Sequence, residues 1–213
     1  RKTYLSRKVN SFRMLDFNNW NGEQTRRAET RQSFAALMSL NKPSLLTYKD
    51  IPNSWPDVKR YIHKLKWSQP WSAASHFSHL LFFLKSQSSE GGSQFIDRMI
   101  YQAINEVNRF YRLPNGSWGL GDDVTMQQQV NGAMKMMTAL DASNTHYFDG
   151  AESLIDLCLL AVNDTHACDH FNVICVLYHC NRITKYREDE VCTYALKRLN
   201  LYQQYYWKNE GGF

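Results

Sequence analysis

The chain has 213 residues, 43% of them hydrophobic and 14% aromatic, and carries a formal net charge of +5. That is enough apolar material for a sizeable core, which excludes an intrinsically disordered chain. The longest apolar run, Leu80-Leu81-Phe82-Phe83-Leu84, stops at Lys85, far short of the roughly 20 residues that span a membrane.

Helical periodicity runs through the sequence and strand-like alternation is nearly absent. Helices are expected at 3–15, 25–40, 55–66, 70–86, 93–112, 124–140, 150–163, 167–183 and 186–206. The first third is basic. Residues 1–66 hold 14 Lys/Arg against 5 Asp/Glu, a net of +9, which leaves −4 for the remainder. Arg7, Lys8, Arg13, Arg26, Arg27 and Arg31 recur at helical spacing, without the glycines and interleaved aromatics of a nucleic-acid module. They read as a solvated helix face, or as a docking surface for an anionic partner.

Turn chemistry separates the helices at Asn18-Asn19-Trp20-Asn21-Gly22, Ser88-Ser89-Glu90-Gly91-Gly92 and Leu113-Pro114-Asn115-Gly116. Pro56 and Pro70 sit where a first helical turn accepts proline. Helix 93–112 has one apolar stripe, from Phe95 and Ile96 through Met99, Ile100, Ala103, Ile104 and Val107 to Phe110 and Tyr111. Helix 186–206 likewise sets Val191, Tyr194 and Leu199 against Arg187, Glu190 and Lys197. Segments 77–84, 130–140 and 171–180 are apolar nearly all round and must be covered on every side. This alternation predicts an all-α chain of αα-hairpins in an inner and an outer layer. Each all-round segment opens with two polar residues three apart, at 76/79, 128/131 and 169/172. Such pairs share a helix face, and they recur after 52 and 41 residues, the length of a helix pair.

Cys158, Cys168, Cys175, Cys180 and Cys192 fall in the helical runs. An odd count there is no disulfide framework and fits buried free thiols in a reducing compartment. With no signal-peptide pattern after Arg1, the expected setting is soluble and cytoplasmic. The sequons Asn115-Gly116-Ser117 and Asn163-Asp164-Thr165 carry no meaning there.

Phe110-Tyr111-Arg112-Leu113-Pro114-Asn115-Gly116-Ser117-Trp118-Gly119 ends one outer helix, and Gln204-Tyr205-Tyr206-Trp207-Lys208-Asn209-Glu210-Gly211-Gly212-Phe213 follows another. The first resembles the loop motif of the terpenoid cyclase and protein prenyltransferase superfamily. The resemblance implies an α/α toroid, partial or complete, with the Gly making the turn and the Trp packing between repeats. It rests on one good and one poor copy of a short motif. The family's cyclases carry Asp-x-Asp-Asp, where this chain has only Gly121-Asp122-Asp123-Val124. Its transferases hold zinc with an Asp, a Cys and a distant His, whereas His166, Cys168, Asp169 and His170 lack that spacing. Nine helices also fall short of a closed ring, so residues 1–213 read as one helical domain, an open arc or a part of a longer toroid.

His76 and His79 lie one turn apart, which suits two metal ligands or a base beside its orienting partner; with no carboxylate close in sequence, no metal is expected. His166-Ala167-Cys168-Asp169-His170 is the densest titratable cluster. Consecutive helical residues diverge, so it reads mainly as a helix start, with Asp164 and Thr165 capping and Asp169 facing inward. Asp122 and Asp123 are expected to divide into one helix cap and one candidate acid or base.

On the toroid reading, His76, His79, Asp122, Asp123 and Asp169 are the candidate catalytic residues at the mouth of a central cavity. Gln128, Asn131, His170, Asn172 and Trp118 are the candidate substrate contacts, with Trp67, Trp71 and Tyr178 available for stacking. That inventory fits acid/base chemistry on a carbohydrate or an isoprenoid. The competing reading is a non-catalytic helical-repeat binding or scaffold protein with a basic N-terminal docking surface. No cofactor is implied, and no nucleotide loop, nucleophile elbow or zinc-finger spacing occurs.

Overall fold

Capping residues and glycines set where the helices begin, and their apolar faces set how they pack. A computed structural model describes residues 22–42, 47–86, 93–145, 147–161 and 167–209. They form α1 (Gly22–Ser39), α2 (Trp55–Lys64), α3 (Pro70–Ser86), α4 (Ser93–Tyr111), α5 (Met126–Ala142), α6 (Ala151–Leu160), α7 (Ala167–Asn181) and α8 (Glu188–Tyr202), the last continued by a 3-10 turn, Gln203–Tyr205. The chain is all-α, and its described residues contain no β-strand. The helix expected at 3–15 lies outside them. No described helix is long and apolar enough to cross a membrane.

Local chemistry explains the boundaries. Ser54 precedes α2 and donates its hydroxyl to Asp57 Oδ2 at 2.7 Å, with proline in the first turn. Thr125 caps α5, its Oγ1 accepting the Gln128 N–H at 3.3 Å. The cap therefore falls to Thr125 and not, as expected, to Asp122 or Asp123. Gly121, at φ +95°, turns the chain before them and leaves both exposed. Glu188, Asp189 and Glu190 fill the first turn of α8, where carboxylates complement the helix dipole.

α3 is the most deeply buried element, with Ala73, Ala74, Phe77, Leu80, Leu81 and Phe83 fully enclosed. It packs most extensively on α5, and α5 in turn on α7. Start meets start and end meets end along this row. The Trp71 N–H reaches Gln128 Oε1 at 3.3 Å, Asn131 reaches Asp169, and His179 lies 3.4 Å from Asp141. α3, α5 and α7 thus run side by side in one direction. α1 joins the row against α3, with Arg31 over the Phe82 ring and Phe34 edge-on to Phe83. The alternate helices also pair directly with one another: His63 and Lys59 of α2 reach Glu106 of α4, and Arg187 before α8 reaches Asp156 of α6.

The stripe expected on α4 is buried at Met99, Ile100, Ala103, Ile104 and Val107, whereas Phe95 and Phe110 at its two ends are exposed. All five cysteines are free, but only Cys158 and Cys180 are buried; Cys175 is half-buried, and Cys168 and Cys192 are exposed. The expectation of five buried thiols is corrected accordingly.

The loop after α4 is a tight joint. Leu113 N–H bonds Ser117 O at 2.9 Å, Gly116 N–H bonds Leu113 O at 3.0 Å, and Gly119 N–H bonds Tyr111 O at 2.8 Å. Gly116 sits at φ +77°, and a Cβ there would stand 2.6 Å from the Gly150 carbonyl oxygen at the start of α6. Replacing it by alanine costs roughly 1–3 kcal/mol in backbone strain alone, and the clash with backbone adds to that. Gly116→Ala is therefore expected to lower the melting temperature by roughly 2–4 °C for each kcal/mol lost. An unchanged thermal midpoint would show that the loop can move away from α6.

Candidate functional site

The polar residues that open α3, α5 and α7 fall into two groups. Between α5 and α7 they form a continuous chain. Asn172 Nδ2 donates to Asn131 Oδ1, and Asn131 Nδ2 donates to Asp169 Oδ1, each at 2.8 Å. Gln127 Nε2 donates to Asp169 Oδ2, also at 2.8 Å. Asn131, Asp169 and Asn172 are 0%, 0% and 2% exposed. A carboxylate taken out of water needs such donors on both oxygens, and this one has them. These three residues, expected among others at the mouth of a central cavity, bond to one another in a buried setting.

The second group is the histidine pair of α3. His76 and His79 are 0% and 6% exposed, with ring centroids 5.7 Å apart and planes at 83°. Burial holds both imidazoles far below the ordinary histidine range, down to about 3. The positive charge of Arg27 acts on His76 in the same direction; His76, Arg31, Lys135 and Arg27 act so on His79. Both rings are therefore neutral at physiological pH. His79 Nδ1 is buried without a hydrogen-bond partner among the described residues.

The remaining candidates lie apart. Gln128 accepts the Trp71 N–H at the α3–α5 contact. Arg198 Nη1 donates to His170 Nδ1 at 2.8 Å, which makes Nδ1 the acceptor; Tyr202 and Tyr205 flank the ring with centroids 6.1 Å away. Trp118 is 1% exposed, gives its indole N–H to Asn108 Oδ1 at 2.9 Å, and lies under the Arg112 guanidinium, 3.8 Å from the ring centre. Trp67 is equally buried and stacks on Tyr111. Neither indole presents a face to a ligand, whereas Tyr178 is exposed. His166, Asp164 and Thr165 lie outside the described residues. Among those described, no three His, Cys, Asp or Glu side chains converge on a point that could hold a metal ion.

A groove of about 510 Å³ opens between α4 and the segment joining α5 to α6, with Asp97, Tyr101, Asn105, Asn108, Tyr147 and Asp149 on its walls. None of the candidate residues lines it. The sequence reading missed Gln127, Arg198 and the trio Arg27, Arg31 and Lys135. The signals were present: Arg27 and Arg31 stand one turn apart on the face of α1 that meets α3, and Lys135 is the one cation in the apolar run 130–140.

Compared with protein-family models, curated proteins and solved structures, the chain matches none of them.

Two outcomes follow from this geometry. Asn131→Ala leaves Asp169 and Asn172 each short of a partner in a buried setting, at a cost of roughly 2–4 kcal/mol. Urea unfolding should show it, while Asp122→Asn and Asp123→Asn stay within about 0.5 kcal/mol of wild type. The histidines set a pH dependence. Between about 3 and the ordinary value of 6.5 the folded state binds fewer protons than the unfolded. Stability is complete above pH 6.5 and falls as pH drops toward 3, by about 1.4 kcal/mol per unit for each ring. A melting series from pH 7.5 to 5 should slope accordingly and flatten in the His76→Gln/His79→Gln double variant; equal slopes would mean that the pair is not the cause.

Proposed function

We propose that the chain is a non-catalytic binding scaffold built of αα-hairpin repeats in two layers, an arc of an α/α toroid. The side-by-side row of α1, α3, α5 and α7 supports this, as do the alternate helices covering it and the polar pairs recurring at corresponding starts. The observation that carries the scaffold reading is the enclosure of Asp169. Acid/base chemistry on a carbohydrate or an isoprenoid needs a carboxylate or imidazole facing a substrate. Asp169 instead spends its oxygens on Gln127 and Asn131, and Asp122 and Asp123 stand in an exposed loop. The partner in this reading is anionic. Arg26, Lys42, Lys49, Lys64 and Lys66 of the basic third are all exposed, and such a surface attracts negative charge over a Debye length.

The test is turnover. The chain is incubated with a panel of oligosaccharides and prenyl diphosphates, and the mixtures are read by mass spectrometry. The scaffold reading expects every compound to be recovered intact, with Asp169→Asn altering stability alone. A product formed by wild type and lost in a folded Asp169→Asn variant would overturn it in favour of the enzyme.

A further inference from the structure

Four positive or imidazole side chains on three packed helices act on one another electrostatically, with no carboxylate within ion-pair distance among the described residues. Arg27 and Arg31 come from α1, His79 from α3 and Lys135 from α5. Arg27 is 6% exposed and is fixed by donating Nη1 to Tyr61 OH at 2.8 Å. Arg31 is half-buried, its guanidinium 5.2 Å from the centre of the Phe82 ring; its Nη1 donates to the exposed Gln32 Oε1 at 3.1 Å, and its Nε is buried without a partner. Lys135 is also half-buried. Burial lowers its pKa and Arg31 lowers it further, against a raising influence from the Cys168 and Cys175 thiols. No carboxylate lies within ion-pair distance of Arg27, Arg31 or Lys135 among the described residues. Some other cations of the chain do have carboxylate partners, as at Lys85–Asp97 and Arg187–Glu190.

Partly desolvated cations repel one another, and a chain that needs only a stable core replaces them with apolar residues. What offsets the repulsion is an anion. The geometry points to an oxyanion site at the junction of α1, α3 and α5, in which Arg31 and Lys135 hold a phosphate or carboxylate group of a small ligand and His79 Nδ1 faces it from the buried side. Arg27, tied to Tyr61, positions charge behind the site. The two-sided guanidinium fork suits an oxyanion better than a halide. This deepens the binding-scaffold reading, on which its role as a recognition site rests. Two of its residues, His79 and Lys135, stand outside the basic third that supplies the docking surface.

The test uses the whole chain and three probes: inorganic phosphate, pyrophosphate and citrate, each against sodium chloride at equal ionic strength. Thermal unfolding should rise by about 3–6 °C at ten times the dissociation constant of the preferred probe. A response to pyrophosphate alone assigns a phosphate-bearing ligand, and a response to citrate alone assigns a carboxylate. Lys135→Met removes an unpaired, half-buried charge, so the variant should melt at or above the wild-type temperature without ligand while losing the probe-dependent rise. Lys185→Met, in the exposed pair with Glu188 before α8, should keep it. No rise with any probe, or a rise that survives in Lys135→Met, overturns the proposal. Turnover of a substrate by the same protein would sink the scaffold reading but leave the oxyanion response in place, so the two failures are distinguishable.

Discussion

The close approach of α3 and α5 governs the rest of the structure. A Cβ at Gly132 would stand 2.9 Å from Pro70 Cβ and 3.0 Å from its carbonyl carbon, so only glycine lets the two backbones come this near. Glycine inside a helix costs about 1 kcal/mol relative to alanine; the contact it permits encloses α3 and fixes its register. With Pro70 opposite Gly132, Trp71 falls beside Gln128. Asn131, one residue before Gly132, is then turned toward α7, and Lys135, one turn further on, lies on the same side of α5, where its charge acts on His79.

The amide–carboxylate chain is a consequence of that register. Asn131 can serve Asp169 and Asn172 together only because its amide has a donor and an acceptor end, and the two partners sit three apart on α7. Leucine at these positions would seal α5 to α7 as tightly. It would not discriminate among registers, whereas a buried carboxylate with two fixed donors penalises any slip by leaving charge unpaired. Asn131, Asp169 and Asn172 therefore act as alignment marks between α5 and α7. This explains both their recurrence along the sequence and the burial of Asn131, Asp169 and Asn172.

Much of the fold was legible because its signals are local. The all-round apolar segments 77–84 and 130–140 announce buried helices by composition, and the boundaries at Pro70 and Ser93 follow from proline and the glycines of the preceding loop. Boundaries set by backbone geometry were less visible. α8 gives way to a 3-10 turn after Tyr202, and the α5 cap moved from the aspartates to Thr125 because Gly121 turns the chain early. The site was half legible. The spacing 128/131 and 169/172 identifies inward positions, but periodicity states where a side chain points and not what it meets. Whether Asp169 faces solvent or an amide depends on Gln127, which no spacing rule marks, and on how near Gly132 brings the helices.

The same limit explains why the basic first third was misread in part. Arg26, Arg27 and Arg31 look equivalent on paper, and a solvated face is the ordinary fate of such a run. Tertiary packing divides them: Arg26 stays in solvent, Arg27 is drawn under Tyr61 and Arg31 lies across Phe82. An arginine can bury its stem and delocalised head against aromatics at modest cost, but a lysine drawn in beside it has no such compensation. Lys135 on an otherwise apolar stretch of α5 is thus the residue hardest to explain by folding alone. Its charge opposes the packing that encloses it, so its presence is better explained by something that the inner row holds than by the row itself.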